Sequence, residues 1–163
     1  MTETVADRTS ETLADGGEGL LDGAIDTKTV RPMLQRLLAP ATETTYALLR
    51  MVAGLMFSFH GFQTILGVLA EHQPPVGSQL WIGGLIELVC GLAMAAGALT
   101  SWAAFLASGT MAVAYVQFHW KLEAGGRLFP AINKGELALL YSFVFLFIAC
   151  RGGGKWSVDQ RRG

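Results

Sequence analysis

Four apolar stretches, residues 45–69, 80–99, 101–119 and 132–150, constrain this chain more than anything else in it. The first contains one formal charge, Arg50, the second one, Glu87, and the third none; the fourth holds Lys134 and Glu136 near its start. An α-helix rises about 1.5 Å per residue, so about 20 residues cross ~30 Å of hydrocarbon. Segments of this length without strict alternation exclude half-buried strands. The expected fold is all-α, a four-helix transmembrane bundle over residues 41–151. The first segment is long enough to tilt, and the polar start of the fourth belongs at an interface. Composition agrees: 15% of the 163 residues are charged, against about 25% in a soluble domain, which argues against a soluble enzyme. A net charge of -1 leaves no basic face for nucleic acid. Two cysteines, Cys90 and Cys150, are too few for a zinc or iron–sulfur centre.

The regions before and after these stretches differ in character. Residues 1–29 read as a disordered acidic tail, in which Glu3, Asp7, Glu11, Asp15, Glu18, Asp22 and Asp26 face few cations and no apolar stripe offsets ordering entropy. No basic start leads into an apolar core, so a secretory signal is not expected. In residues 30–40, Val30, Met33, Leu34, Leu37 and Leu38 recur at helical spacing with Arg31, Gln35 and Arg36 between them. Pro32 suits a first turn and Pro40 an end. This predicts a short amphipathic helix on an anionic leaflet. Lys28, Arg31 and Arg36 precede the first stretch, and Arg151, Lys155, Arg161 and Arg162 follow the last. The cation bias predicts both termini, including the tail 152–163, on the cytoplasmic side.

With that orientation, the polar residues inside the stretches collect in the outer half. Glu87 and His60 each lie about 4–5 Å outward of mid-membrane by helical rise, and a carboxyl there costs roughly 2.5–3.5 kcal/mol unless it faces the interior with a partner. We therefore expect Glu87 and His60 to pair and to manage protons, the candidate catalytic residues. Gln63, one turn beyond His60, and Tyr115, Gln117 and Glu136 at the outer end are candidate ligand-binding residues. Arg50, in the inner half, is expected to reach cytoplasmic headgroups, with a ligand contact as its other role. A purely structural clamp is the competing reading of the Glu87–His60 pair. His60, His72 and His119 differ in depth and make no metal or haem site. Trp81, Trp102, Trp120 and Trp156 fall at segment ends, as an interfacial belt requires. Small-residue pairs four apart, Gly54/Ser58, Gly91/Ala95 and Ala104/Ser108, mark close helix contacts.

Several of these residues carry a resemblance. Arg50, Gly54 and His60-Gly61-Phe62-Gln63-Thr64-Ile65-Leu66-Gly67, then Glu87 in its glycine-flanked helix, then Phe129-Pro130 to Glu136, then Gly154-Lys155-Trp156-Ser157-Val158-Asp159 resemble, in order, elements of the DoxX family. The resemblance covers about residues 45–160. Thr64 stands where the family usually has lysine. The resemblance implies a four-span inner-membrane protein linked to membrane redox chemistry. The function it points to is an integral subunit of a redox system that binds a quinone or a small sulfur species in the outer half of the bundle. A protein partner or a homo-oligomer is expected in the bilayer. A non-catalytic scaffold for a soluble enzyme and a small-solute transporter are the alternatives.

Overall fold

A computed structural model describes residues 27–123 and 125–162, and every regular element among the described residues is helical. The acidic tail expected over 1–29 lies almost wholly outside them. The chain divides into two units after Thr42. In the first, helix α1 (Thr27–Leu38) leads into a single 3-10 turn, Ala39–Ala41. A helix covers the stretch expected to be amphipathic, and it begins three residues before Val30, so Pro32 falls in its second turn. Met33, Leu34, Leu37 and Leu38 on its apolar face are all more than half exposed.

The second unit contains α2 (Thr42–Leu66), α3 (Gln79–Ala96), α4 (Thr100–Ala114) and a π-helical extension, Tyr115–Trp120. A 3-10 turn (Gly126–Leu128), the short α5 (Pro130–Asn133), α6 (Glu136–Arg151) and α7 (Val158–Arg162) complete it. The elements follow the four apolar stretches to within a few residues at each end. The first stops at Leu66 rather than residue 69, because Gly67 turns into left-handed backbone. The fourth starts at Glu136 rather than residue 132. There Lys134 takes φ 60° and the Asn133 side chain accepts from Gly135 N–H at 2.7 Å, so the chain breaks and restarts.

Small residues set the α2–α3 contact. A Cβ on Gly54 would lie 2.7 Å from the backbone of Gly91 and Ala95, one on Gly61 2.3 Å from Leu88 N, and one on Gly91 2.5 Å from Ser58 N. Partners descend on α3 as they ascend on α2, so the helices run antiparallel with backbones in contact, as small-xxx-small pairs allow. On the far side, Phe57 of α2 meets Phe145 of α6 at 4.7 Å between ring centroids, and Tyr141 stacks on Phe145 at 5.1 Å. Ser108 of α4 donates to the Ser142 carbonyl of α6 at 2.7 Å. One core cluster thus draws on α2, α3, α4 and α6, through residues such as Phe57, Met94, Ala104 and Phe145.

Inside this apolar core sit a few polar groups, and the outer surface is apolar as well. Arg50, Ser58, Thr100 and Ser157 are buried, while Leu55, Val89, Phe105, Leu140 and Phe143 face outward. Large exposed apolar surface of this kind marks contact with another apolar phase. Among the described residues, α3 by itself is long and apolar enough to cross a membrane. Helix α2 is longer but carries Arg50, His60 and Gln63, and α4 and α6 have 15 and 16 residues before their flanking turns.

Candidate functional site

Helices α3 and α4 are joined through residues 97–99, and residues of both line a groove of about 1070 Å³. Its walls are mainly apolar, including Leu80, Ile86, Phe105 and Met111. Glu87 is the one carboxylate in the lining, which includes no Lys or Arg. Polar groups enter from the α2–α3 connection, where His72 and Gln73 reach the groove beside Pro74 and Pro75, and from Thr64 and Gln79. Glu87 is half-buried, and its carboxylate makes no hydrogen bond or ion pair to the described residues.

The expected Glu87–His60 pair is not formed. His60 is exposed, lies outside the groove lining and has no side-chain partner among the described residues. The reason is angular. Gly54, Ser58, Gly61 and Thr64 form the stripe that touches α3, and a residue one position before Gly61 is rotated about 100° around the helix. His60 therefore points away from the contact, while Glu87 lies on the side of α3 that faces α4. Gln63 is half-buried and also outside the lining.

The outer-end candidates serve the fold. Tyr115 donates to the Leu128 carbonyl at 2.9 Å and receives the Asn133 amide at 3.4 Å; Asn133 also donates to the Arg127 carbonyl at 2.8 Å. His119 Nδ1 lies 3.3 Å from the Asn133 carbonyl. These bonds pin the 126–135 connection against the π-helix, whose wide turn brings Tyr115 and His119 under Gly135. Gln117 accepts from Gln79 at the groove rim. Glu136 is exposed and stands apart from the groove.

Arg50 is fully buried, and its guanidinium does not reach outward to headgroups as expected. Nη1 donates to the carbonyls of Met94 and, at 3.0 Å, Ala95, in the last turn of α3; Nη2 lies 3.5 and 3.4 Å from the carbonyls of Lys155 and Trp156. A cation on the carbonyl end of a helix also complements its dipole. The tail closes the same end. Asp159 accepts from Leu99 N–H at 2.8 Å and from Thr100 N–H and hydroxyl at 2.9 and 2.7 Å, so it caps α4 from a distant part of the chain. Ser157 caps α7 by accepting from Gln160 N–H at 3.1 Å. Tyr46 donates to the Gly152 carbonyl, and Arg151 pairs with Glu43 while lying over the Tyr46 ring.

Sequence reasoning missed this closure and missed His72 and Gln73 as groove residues. A signal existed for the first: Ser157 followed three residues later by Gln160 is a capping-box pattern. No local signal brings the loop at 72–75 to the groove.

The apolar outward faces of the helices and the long apolar α3 suit a helical membrane protein. Residues 45–120 match the DoxX family. An uncharacterized protein from Haemophilus influenzae is 37% identical over 119 residues, covering 71% of this chain and 88% of that protein. The chain belongs to the DoxX family. No solved structure matches it.

Proposed function

We propose that this chain is a four-span integral subunit of a membrane redox system, with both termini cytoplasmic, and that the α3–α4 groove holds its small-molecule redox partner, a quinone or a small sulfur species. The observation that carries this reading is the groove itself, about 1070 Å³ of mainly apolar space with the unpartnered Glu87 in its wall. Ligand pockets are of this size and composition, with few polar groups that fix orientation. An ionisable residue at membrane depth is by default a functional candidate. Glu87 would hydrogen-bond the ligand's polar group and exchange a proton with it, and His72 and Gln73 would stand at the entrance. His60, Tyr115 and Arg50 leave the proposed machinery, and Gln117 keeps a rim position through Gln79.

Length supports spanning for α2 and α4 beside α3. Helix α2 runs to about 37 Å, and α4 with its π-helical extension carries 21 residues in one run. The apolar outer faces of α2, α4 and α6 suit lipid. The test is purification from native membrane followed by solvent extraction. Recovery of a stoichiometric quinone, lost in Glu87→Gln, supports the reading, as does thiosulfate- or quinone-dependent redox turnover. A preparation with neither bound quinone nor turnover refutes it. The engagement of Arg50, Tyr115 and Gln117 in internal bonds favours a second reading, a scaffold that holds a soluble enzyme at the membrane. That reading predicts a co-purifying soluble protein and a silent Glu87→Gln.

A further inference from the structure

The α3–α4 groove offers hydrogen-bond acceptors and few donors. A hydroxyl carries one hydrogen and two lone pairs, and a backbone carbonyl only accepts. Thr64 donates its hydroxyl to the His60 carbonyl at 3.0 Å, Thr110 to the Leu106 carbonyl at 2.9 Å and Ser108 to the Ser142 carbonyl at 2.7 Å. All three residues line the groove, and each hydroxyl oxygen is left with accepting capacity alone. Gln73 gives one amide hydrogen to the Ile65 carbonyl at 3.2 Å, and Gln79 gives one to Gln117. The second amide hydrogens of these two glutamines and the His72 ring are the side-chain donors that remain in the lining, all on exposed residues. Charge points the same way. Glu87 is half-buried, its carboxylate has no partner among the described residues, and the lining holds no Lys or Arg. A carboxylate accepts only, and a cation that donates to it forms the stronger class of hydrogen bond.

We infer that the α3–α4 groove binds amphiphilic ammonium compounds, with Glu87 as the counter-charge of a protonated amine and the apolar walls around its carbon chain. The inference shares with the proposed reading the groove as a ligand site, and it adds a ligand class that competes with the redox partner there. An alkylammonium brings N–H donors and no acceptor, the complement of this lining. A sulfur oxyanion brings acceptors and negative charge, and it would face Glu87 with no Lys or Arg to meet it. Phe105 and Leu106 belong both to the lining and to the exposed apolar surface, so an alkyl chain has an apolar path out of the groove.

The experiment uses the full chain in phosphatidylcholine nanodiscs, without anionic lipid, and equilibrium dialysis of four compounds that share one chain: decylammonium, decyltrimethylammonium, decanol and decanoate. Uptake by empty nanodiscs is subtracted. Decylammonium should bind saturably, one per chain, about tenfold or more tighter than decanol. Decyltrimethylammonium, which has the charge and no N–H, should fall between them, and decanoate should not bind. Glu87→Gln should bring decylammonium down to the affinity of decanol and leave decanol unchanged, while Glu87→Asp keeps part of the difference. The wild-type series stands by itself if the glutamine variant fails to fold. The inference is overturned if decanol matches decylammonium, which marks a lipid acyl-chain groove, or if decyltrimethylammonium matches it, which marks a site with no use for donors. It is also overturned if folded Glu87→Gln keeps the wild-type affinity, or if no decyl compound binds and the chain runs as a dimer, which marks a seat for a second copy. A quinone that co-purifies from native membrane and is displaced by decylammonium supports both readings. Quinone without amine binding overturns the inference and spares the broader reading; amine binding without quinone or turnover does the reverse; binding of neither overturns both.

Discussion

Replacing Arg50 with methionine removes a buried guanidinium that joins three parts of the chain: α2, the end of α3 and the tail at Lys155 and Trp156. Two of its donations, to Met94 and Ala95, are close, and each charge-assisted bond of this kind contributes about 1.5–3 kcal/mol. The two contacts at 3.4 and 3.5 Å add little. The Met94 carbonyl keeps the Gly97 N–H at 3.1 Å, so the methionine variant does not leave it wholly unmet. Relief of guanidinium burial offsets part of the loss, which leaves a net destabilisation of about 2–4 kcal/mol. The tail should loosen first, because Asp159, which caps α4, and Ser157, which packs on Gly97, lie at the same corner. The assay is thermal unfolding of the full chain in detergent together with a trypsin time course at Arg151 and Lys155. Arg50→Met should melt earlier and lose the tail faster, with Arg50→Lys between it and the wild type, because an ammonium cannot fork across both sets of carbonyls. If Arg50→Met melts with the wild type and its tail is cut at the same rate, the clamp is not what holds this end together.

Other outcomes follow from the same geometry. Asp159→Ala removes the cap of α4 and should cost about 1–2 kcal/mol in unfolding measurements, with Asp159→Asn retaining part of it. Gly61→Ala places a Cβ 2.3 Å from Leu88 N and should lower the yield of folded protein on gel filtration, whereas Gly109→Ala should melt at or above the wild-type temperature. His60→Ala should leave quinone binding unchanged, and Glu87→Gln should weaken it; the reverse result would restore the α2 face as the site.

Level along the helices was legible in the sequence because helical rise is constant. The four apolar stretches lie within a few residues of α2, α3, α4 with its extension, and α6. The small-residue pairs Gly54/Ser58 and Gly91/Ala95 do form the α2–α3 seam. Direction around each helix was less legible. His60 and Glu87 share a depth, yet the seam at Gly61 turns His60 outward, and only the contact between two helices fixes that angle. Arg50 illustrates a different gap. A lone cation in an apolar helix suggests a route to headgroups, and nothing nearby in sequence reveals that its acceptors are backbone carbonyls 44 and more residues away. Glu87 stands out in the sequence as the one charge in an otherwise apolar helix, and the structure places it in the groove wall.

Photolabelling tests the central claim most directly. An azido-benzoquinone activated in membranes that contain the full chain should modify peptides of α3 and α4 around Glu87 and Gly109, with the label displaced by the unmodified decyl-substituted benzoquinone. Label spread over the lipid-facing surface, or concentrated on α2 around His60, would contradict the assignment of the α3–α4 groove as the ligand site.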